Sequence, residues 1–152
     1  MHRVVITGAG TVNSLGHNVA DTLAAMREGQ CGIGALEFQD VERLSIQIGG
    51  QVRGFETEGR YNRQQLSLYD RFTQFTLTAA KEAVAQSGLK FSSELAAKSG
   101  VILGTAGGGV NTWDQNYRLV YEEGKNRVHP FVVPKLMNNA AAAHVSMEFN
   151  LK

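Results

Sequence analysis

The chain contains one cysteine, two prolines and almost no net charge. Cys31 alone can form neither an internal disulfide nor a metal site built from several thiolates. The 15 lysines and arginines nearly balance the 14 aspartates and glutamates, so the chain as a whole is not attracted to nucleic acid or to an anionic membrane. No apolar run approaches the roughly 20 residues that span a bilayer, and the start does not resemble a signal peptide. These absences predict a cytoplasmic protein without a membrane span and without a nucleic-acid partner.

Cys31 is also a poor candidate for a nucleophile. It lies in a turn-like stretch, EGQCGIG at 28–34, whereas a reactive thiolate needs a helix N-terminus or a nearby cation. We therefore interpret it as an ordinary thiol.

Apolar periodicity predicts alternating strands and helices. β-branched or alternating runs predict strands at 3–7 (RVVIT), 44–52 (LSIQIGGQV) and 98–103 (KSGVIL). Helical spacing predicts helices at 18–27, 62–87, 110–122 and 140–149, with Gly29 and Gly88 as stop signals after the first two. The length suits one domain, and the order of elements favours an α/β layered fold with a mainly parallel sheet and flanking helices.

Glycines follow the first predicted strand, at Gly8, Gly10 and Gly16. After a strand, such glycines can let a phosphate approach a helix N-terminus. The dinucleotide pattern GxGxxG requires a glycine where the chain has Asn13, and no convincing acidic residue ends a second strand to bind ribose. We therefore predict a structural turn and keep a nucleotide-binding α/β domain as a weaker alternative.

Three segments, taken together, indicate a protein family more specifically than any one of them does. They are MHRVVITGAGTVNSLG at 1–16, GTAGGG at 104–109 and HPFVVPKLMNNAAAAHVS at 129–146. Together they resemble the opening of a β-ketoacyl-acyl carrier protein synthase, of the synthase II-like group in the thiolase-like superfamily. The resemblance covers essentially all 152 residues but corresponds only to the N-terminal part of such an enzyme. It implies that residues 1–152 are part of one synthase domain, in a thiolase-like layered fold that is incomplete in this chain.

The catalytic residues of this family are expected outside the chain. In family members the nucleophilic cysteine, in an Ala-Cys context, follows directly on a stretch like 149–152, and two catalytic histidines lie far beyond it. The resemblance thus implies that residues 1–152 are inactive alone. It implies that the complete protein is an acyltransferase of fatty acid or polyketide biosynthesis, joining acyl and malonyl carrier-protein thioesters by decarboxylative Claisen condensation. No metal or organic cofactor is implied, because the phosphopantetheine of acyl carrier protein carries both substrates.

The resemblance also implies partners. These are acyl carrier protein, the missing C-terminal part of the same protein, and either a second copy or a chain-length-factor subunit. A catalytically silent, chain-length-factor-like subunit is the alternative function, and the residue that replaces or retains the cysteine beyond Lys152 distinguishes the two. An isolated 1–152 fragment is expected to expose apolar faces that need burial.

Two segments are implied to shape the acyl pocket. Family members that elongate fatty acids resemble GSGIGG at 104–109, so Gly107 replaces a bulky isoleucine that gates the pocket; a tight loop with positive φ is the structural alternative. Residues 129–134 (HPFVVP) resemble SPFFVP near the dimer interface, which points Phe131, Val132 and Val133 toward the partner's acyl tunnel. A proline-bounded turn that anchors an apolar plug is the alternative there. The smaller Gly107 and Val132 imply an altered chain-length preference.

Carrier docking is implied at Arg63, Lys125 and Arg127, because an acidic carrier protein needs a basic face on its synthase. Residues 62–72 (NRQQLSLYDRF) resemble SRKEQRKMDRF but keep only part of its basic character. A solvated charged loop explains Lys125 and Arg127 equally well.

His144 matches a histidine in an NxxAxHxS-like helix of the family. We interpret His144 as a hydrogen-bonded packing residue.

Overall fold

The computed structural model describes residues 3–152. These residues form two compact units, one from residues 3–57 and 78–88 and the other from residues 58–77 and 89–152. The described α-helices are α1 (Val19–Arg27), α2 (Arg63–Leu68), α3 (Arg71–Ser87), α4 (Ser93–Ala97), α5 (Val110–Tyr117), α6 (Val132–Leu136) and α7 (Ala140–Phe149). A 3₁₀ turn covers Val41–Arg43, and a π-helical turn, Arg118–Glu122, continues α5. Helix α3 contributes residues to both units.

Local sequence signals explain the bounds of α1 in the first unit. The side chain of Asn18 accepts a hydrogen bond from the backbone N–H of Asp21 at 2.8 Å, which caps the helix N-terminus. Gly29 follows the helix with φ 68°, a left-handed conformation that glycine adopts without strain. The predicted helix and its stop signal are both confirmed.

The sheet of the described residues is small and antiparallel, and it does not show the predicted parallel sheet. It consists of β1 (Gly34–Ala35) and β2 (Ile48–Gly49), so the predicted strand at 44–52 is reduced to two residues. Residues 3–7 and 98–103 pair with no described strand, and the side chains of Val4, Ile6 and Ile102 are almost fully exposed. A strand needs a neighbour to take its backbone hydrogen bonds, and residues 3–152 supply none for these segments. The mainly parallel sheet is therefore not formed within the described chain.

The predicted helix at 62–87 is in fact two helices. Tyr69 has an extended backbone at φ −103° and ψ 122°, which ends α2, and α3 begins at Arg71. The apolar period continues through both helices, so periodicity alone predicts one. The side chain of Asp70 interrupts it by accepting a hydrogen bond from the backbone N–H of Phe72 at 3.3 Å. Gly88, with φ 66°, ends α3 as predicted.

The second unit is helical, and its buried side chains concentrate on α3 and α7. The buried residues of these two helices are Thr73, Gln74 and Leu77 on α3, and Ala140, Ala141 and Val145 on α7. The predicted helices at 110–122 and 140–149 are confirmed, whereas α4 and α6 were not predicted. Within residues 3–152 no helix has the length and apolar character to cross a membrane.

Candidate functional site

Side chains of α3 hold the turn that follows residues 3–7 in the first unit. Glu82 accepts hydrogen bonds from the backbone N–H of Thr11 at 3.0 Å and from that of Val19, the first residue of α1, at 2.8 Å. Gln86 Oε1 accepts a hydrogen bond from the backbone N–H of Ala9 at 2.6 Å. In a dinucleotide loop such backbone groups bind phosphate. Here the carboxylate of Glu82 and the carboxamide of Gln86 occupy them.

Gly8 and Gly10 in this turn are required for close packing on α3. A Cβ at Gly8 would overlap the carbonyl oxygen of Ala83, and a Cβ at Gly10 would overlap that of Ala79. Carbonyl oxygens repel a phosphate, so these glycines do not open a nucleotide site. The geometry agrees with the predicted structural turn.

The three glycines before α5 have different roles. Gly108 has φ 61°, and the backbone N–H of Gly109 donates a hydrogen bond to the carbonyl oxygen of Leu136 at 3.0 Å. A Cβ at Gly109 would lie 2.7 Å from Leu136 Cα, so these two positions require glycine. Gly107 has no positive φ, and a Cβ there would meet only a methyl group of Val110, at 2.8 Å. A Cβ therefore fits at Gly107 once the exposed side chain of Val110 shifts.

A buried carboxylate that was not predicted from the sequence anchors the same loop. Asp70 is 3% exposed, and its Oδ2 accepts hydrogen bonds from the backbone N–H of Thr112 at 2.7 Å and from its hydroxyl at 2.5 Å. Oδ1 accepts the bond from Phe72 described above, so one carboxylate caps the N-termini of α3 and α5. The available signal was an aspartate inside an apolar helical period, since aspartate favours helix N-caps.

The predicted pocket residues Phe131, Val132 and Val133 lie at the start of α6. The backbone N–H of Phe131 donates a hydrogen bond to His129 Nδ1 at 3.2 Å, which closes the turn before the helix. Phe131 and Val133 are 50% and 60% exposed. The far end of α6 is bonded to the glycine loop through Leu136, so the two segments predicted to shape the pocket are neighbours.

Cavities open around α6 in the second unit. One of about 270 Å³, which we call the α7 cavity, is lined by Leu68, Phe131, Pro134, Met137, Asn139, Ala140, Ala143, His144 and Met147. The aromatic cavity, about 250 Å³, is lined by Trp113, Asn116, Tyr117, Val120, Tyr121, Val128, Val132 and Leu136. The cationic cavity, about 240 Å³, is lined by Ser67, Thr112, Gln115, Asn116, Leu119, Arg127, Val128, His129, Phe131, Val132 and Lys135. Phe131 and Val132 thus each line two of these cavities, whereas Gly107 and Val133 line none of them.

His144, which lines the α7 cavity, packs against the aromatic ring of Tyr69. Its ring centroid lies 4.5 Å from that of Tyr69, with the planes at 62°. Burial lowers the pKa of His144 below its ordinary value of 6.5, because the charged imidazolium loses hydration. The packing role matches the prediction, but the structure gives His144 a ring contact in place of the predicted hydrogen bond.

The residues predicted to dock a carrier lie on two neighbouring elements. Arg63 is the first residue of α2, and Ser67, one helical turn later, lines the cationic cavity together with Arg127. Lys125 Nζ lies 2.7 Å from Glu123 Oε2 in an exposed ion pair. Arg127 is therefore next to α2, while Lys125 has the environment of a solvated charged loop.

The structure also locates Cys31 and the side chains that could bind a metal. Cys31 is exposed, and its Sγ lies 3.8 Å from the carbonyl oxygen of Ile33. Residues 3–152 contain no cluster of three or more His, Cys, Asp or Glu side chains placed to hold a metal ion.

Solved structures share the fold of this chain. A beta-ketoacyl synthase from Burkholderia phymatum STM815 matches with a TM-score of 0.80 and 24% identity, covering all of this chain and 38% of its own. The ishigamide ketosynthase/chain length factor matches with a TM-score of 0.80 and 22% identity, over 97% of this chain and 37% of its own. The ketosynthase fold is therefore present in residues 3–152 only as a part.

Sequence comparisons agree. A 3-oxoacyl-[acyl-carrier-protein] synthase 2 of Staphylococcus aureus (strain COL) is 33% identical over 150 residues, which are 99% of this chain and 36% of the relative. The protein of the same description from Vibrio cholerae serotype O1 is 32% identical over the same shares. The chain thus spans about a third of the length of these curated relatives. The family model described as "Beta-ketoacyl synthase, N-terminal domain" matches residues 1–152, and the chain belongs to this family.

Proposed function

We propose that this chain is the N-terminal part of a 3-oxoacyl-[acyl-carrier-protein] synthase. The complete protein transfers an acyl group from carrier protein to a cysteine beyond Lys152. The acyl group is then joined to the carbanion that forms when a malonyl carrier thioester loses carbon dioxide. Two histidines and an oxyanion hole, also outside residues 1–152, assist these steps. The reaction takes place in the cytoplasm and uses no resident metal or organic cofactor.

The observation that carries this proposal is the contact between the glycine loop and α6. Gly108 and Gly109 seat the loop against Leu136, while a Cβ at Gly107 would meet only a side-chain methyl group of Val110. The acyl chain passes Gly107, with Phe131, Val132 and Val133 on the adjoining segment. An open gate at Gly107 favours longer or branched acyl chains.

The parallel sheet is proposed to be completed by the rest of the protein. Residues 3–7 and 98–103 are rich in β-branched side chains, and their exposure in the described chain leaves them available as central strands. In the complete synthase the C-terminal part supplies their neighbours and the layered thiolase-like sheet results. This part of the same protein is thus the first partner of the chain.

The second proposed partner is acyl carrier protein. Its acidic surface meets Arg63 and Arg127 on adjacent elements, with Lys125 at the edge of the patch. A type II ketosynthase in complex with its acyl-carrier protein shares this fold, with a TM-score of 0.73, 17% identity and coverage of 97% of this chain and 40% of its own. The synthase acts as a homodimer or as a heterodimer with a chain-length-factor subunit.

A silent chain-length-factor-like subunit is the second candidate, favoured by the match to the ishigamide ketosynthase/chain length factor. Incubating the complete protein with acyl carrier thioester, and measuring intact mass, separates the two. A synthase gains the acyl mass on one cysteine and then releases carbon dioxide and a 3-oxoacyl product when malonyl carrier thioester is added. A silent subunit gains no acyl mass and alters the product length only when an active synthase is present.

A further inference from the structure

The cationic cavity of the second unit collects positive charge without a carboxylate. Arg127 and Lys135 line it, together with the ring of His129 and the amide groups of Gln115 and Asn116. All of these polar groups can donate hydrogen bonds, and none of the lining residues is aspartate or glutamate. The lining is therefore suited to an oxyanion.

The carboxylates in the neighbouring sequence pair with other cations. Asp114 and Glu122 both bond Arg118, at 3.0 and 3.5 Å. Glu123 bonds Lys125 at 2.7 Å. Neither Arg127 nor Lys135 takes part in an ion pair within residues 3–152. Their charge is thus available to a bound anion.

The aromatic cavity adjoins the cationic cavity, and the two share Asn116, Val128 and Val132. Its wall is a stack of three rings, in which Trp113 and Tyr117 lie 5.4 Å apart and Tyr117 and Tyr121 lie 5.6 Å apart, with interplanar angles of 17° and 16°. These side chains are 43%, 51% and 77% exposed. Covering such a surface with an apolar group lowers the free energy, because the rings are removed from water.

We propose that the two cavities together bind a phosphate monoester with an apolar or aromatic body. A phosphate monoester carries close to two negative charges at neutral pH, so it compensates Arg127 and Lys135 together, whereas a carboxylate compensates one of them. The phosphate group lies in the cationic cavity, and the body lies against the ring stack. The proposal does not require the condensing activity, although the site shares Arg127 with the proposed carrier patch and Phe131 and Val132 with the proposed acyl pocket.

Phenyl phosphate is the first probe, titrated into the full natural protein by calorimetry and followed by the fluorescence of Trp113. We expect saturable binding, a fluorescence change that is lost in Trp113→Phe, and a dissociation constant about tenfold higher for Lys135→Met. Lys90→Met, which removes an exposed lysine outside both cavities, is the matched control and leaves the constant unchanged.

Two further probes separate the halves of the site. Inorganic phosphate should compete with phenyl phosphate but bind several-fold more weakly, and phenol should not bind measurably. Equal affinity for inorganic and phenyl phosphate would overturn the role of the ring stack. Absence of saturable phenyl phosphate binding, or an unchanged constant in Lys135→Met, would overturn the proposal as a whole.

Discussion

Asp70 Oδ2 accepts both hydrogen-bonding groups of Thr112, the backbone N–H and the hydroxyl, across 42 positions of sequence. The same carboxylate caps α3 through Phe72, so the starts of α3 and α5 are tied to one buried side chain. The glycine loop ends where α5 begins. Its position therefore depends on a residue that belongs to neither the loop nor α6.

Replacing Asp70 with alanine tests this anchor. Asp70→Ala leaves the buried Thr112 donors without an acceptor, and we expect the free energy of unfolding to fall by about 3 kcal/mol. Urea denaturation measures it. Asp114→Ala is the matched control, because Asp114 forms an exposed pair with Arg118 and its loss costs about 1 kcal/mol or less. Similar losses in the two variants would contradict the anchoring role.

The glycine loop gives a second pair of variants. Gly107→Ile is expected to fold, since a Cβ there meets only a methyl group of Val110, and in the complete protein it should shorten the longest acyl primer that is accepted. Gly108→Ile is expected to unfold or aggregate, because φ 61° and the nearby carbonyl of Leu136 exclude a β-branched side chain. Mass spectrometry of the 3-oxoacyl products reports the primer length. An unchanged product profile in Gly107→Ile would contradict the proposal that this position gates the acyl pocket.

Glu82 provides a third prediction, in the first unit. Glu82→Gln keeps the size of the side chain but replaces one acceptor oxygen with a donor, so either Thr11 or Val19 loses its partner. We expect a loss of about 1–3 kcal/mol in the free energy of unfolding. Glu94→Gln, which alters an exposed pair with Lys98, should cost less than about 1 kcal/mol. If the loop instead bound a nucleotide, Glu82→Gln would increase the affinity for NAD, measured by calorimetry; we expect no NAD binding in either protein.

His144 predicts a pH dependence of stability. Burial lowers its pKa in the folded chain below 6.5, so the unfolded chain binds a proton more readily than the folded chain does. The stabilisation by neutral His144 is complete above pH 6.5 and is lost as pH falls through the folded-state pKa. Urea denaturation at a series of pH values from 7.5 to 4.5 should show this decline, and His144→Gln should flatten part of it. An identical slope in the variant would show that other groups carry the dependence.

The sequence predicted local helices well and the sheet poorly, for one physical reason. The limits of α1 depend on Asn18 and Gly29, which act on neighbouring backbone groups. A short stretch of sequence is therefore enough to predict them. A strand at 3–7 depends on hydrogen bonds with a neighbour that the chain itself does not provide within the described residues. Likewise the contact of Asp70 with Thr112 joins distant positions, and no period or spacing reveals it.

The candidate site was predicted as segments, and its geometry was not. The family resemblance selected Gly107, Phe131 and Val132. Only the structure shows that a Cβ can be accommodated at Gly107 but not at the two glycines that follow it. The ring stack along α5 and the π-helical turn was not predicted as a surface either. Its residues, Trp113, Tyr117 and Tyr121, are spaced by four, which a helical period also assigns to a buried face.

The three glycines of the loop have different structural requirements, and this difference has an evolutionary consequence. Gly108 and Gly109 fix the path of the backbone, so a change at Gly107 does not alter that path. Selection can therefore vary the size of one side chain while the loop keeps its shape. A saturation library at Gly107 should retain folded protein for most small and medium residues, which makes this position a natural point for substrate range to diverge between related enzymes.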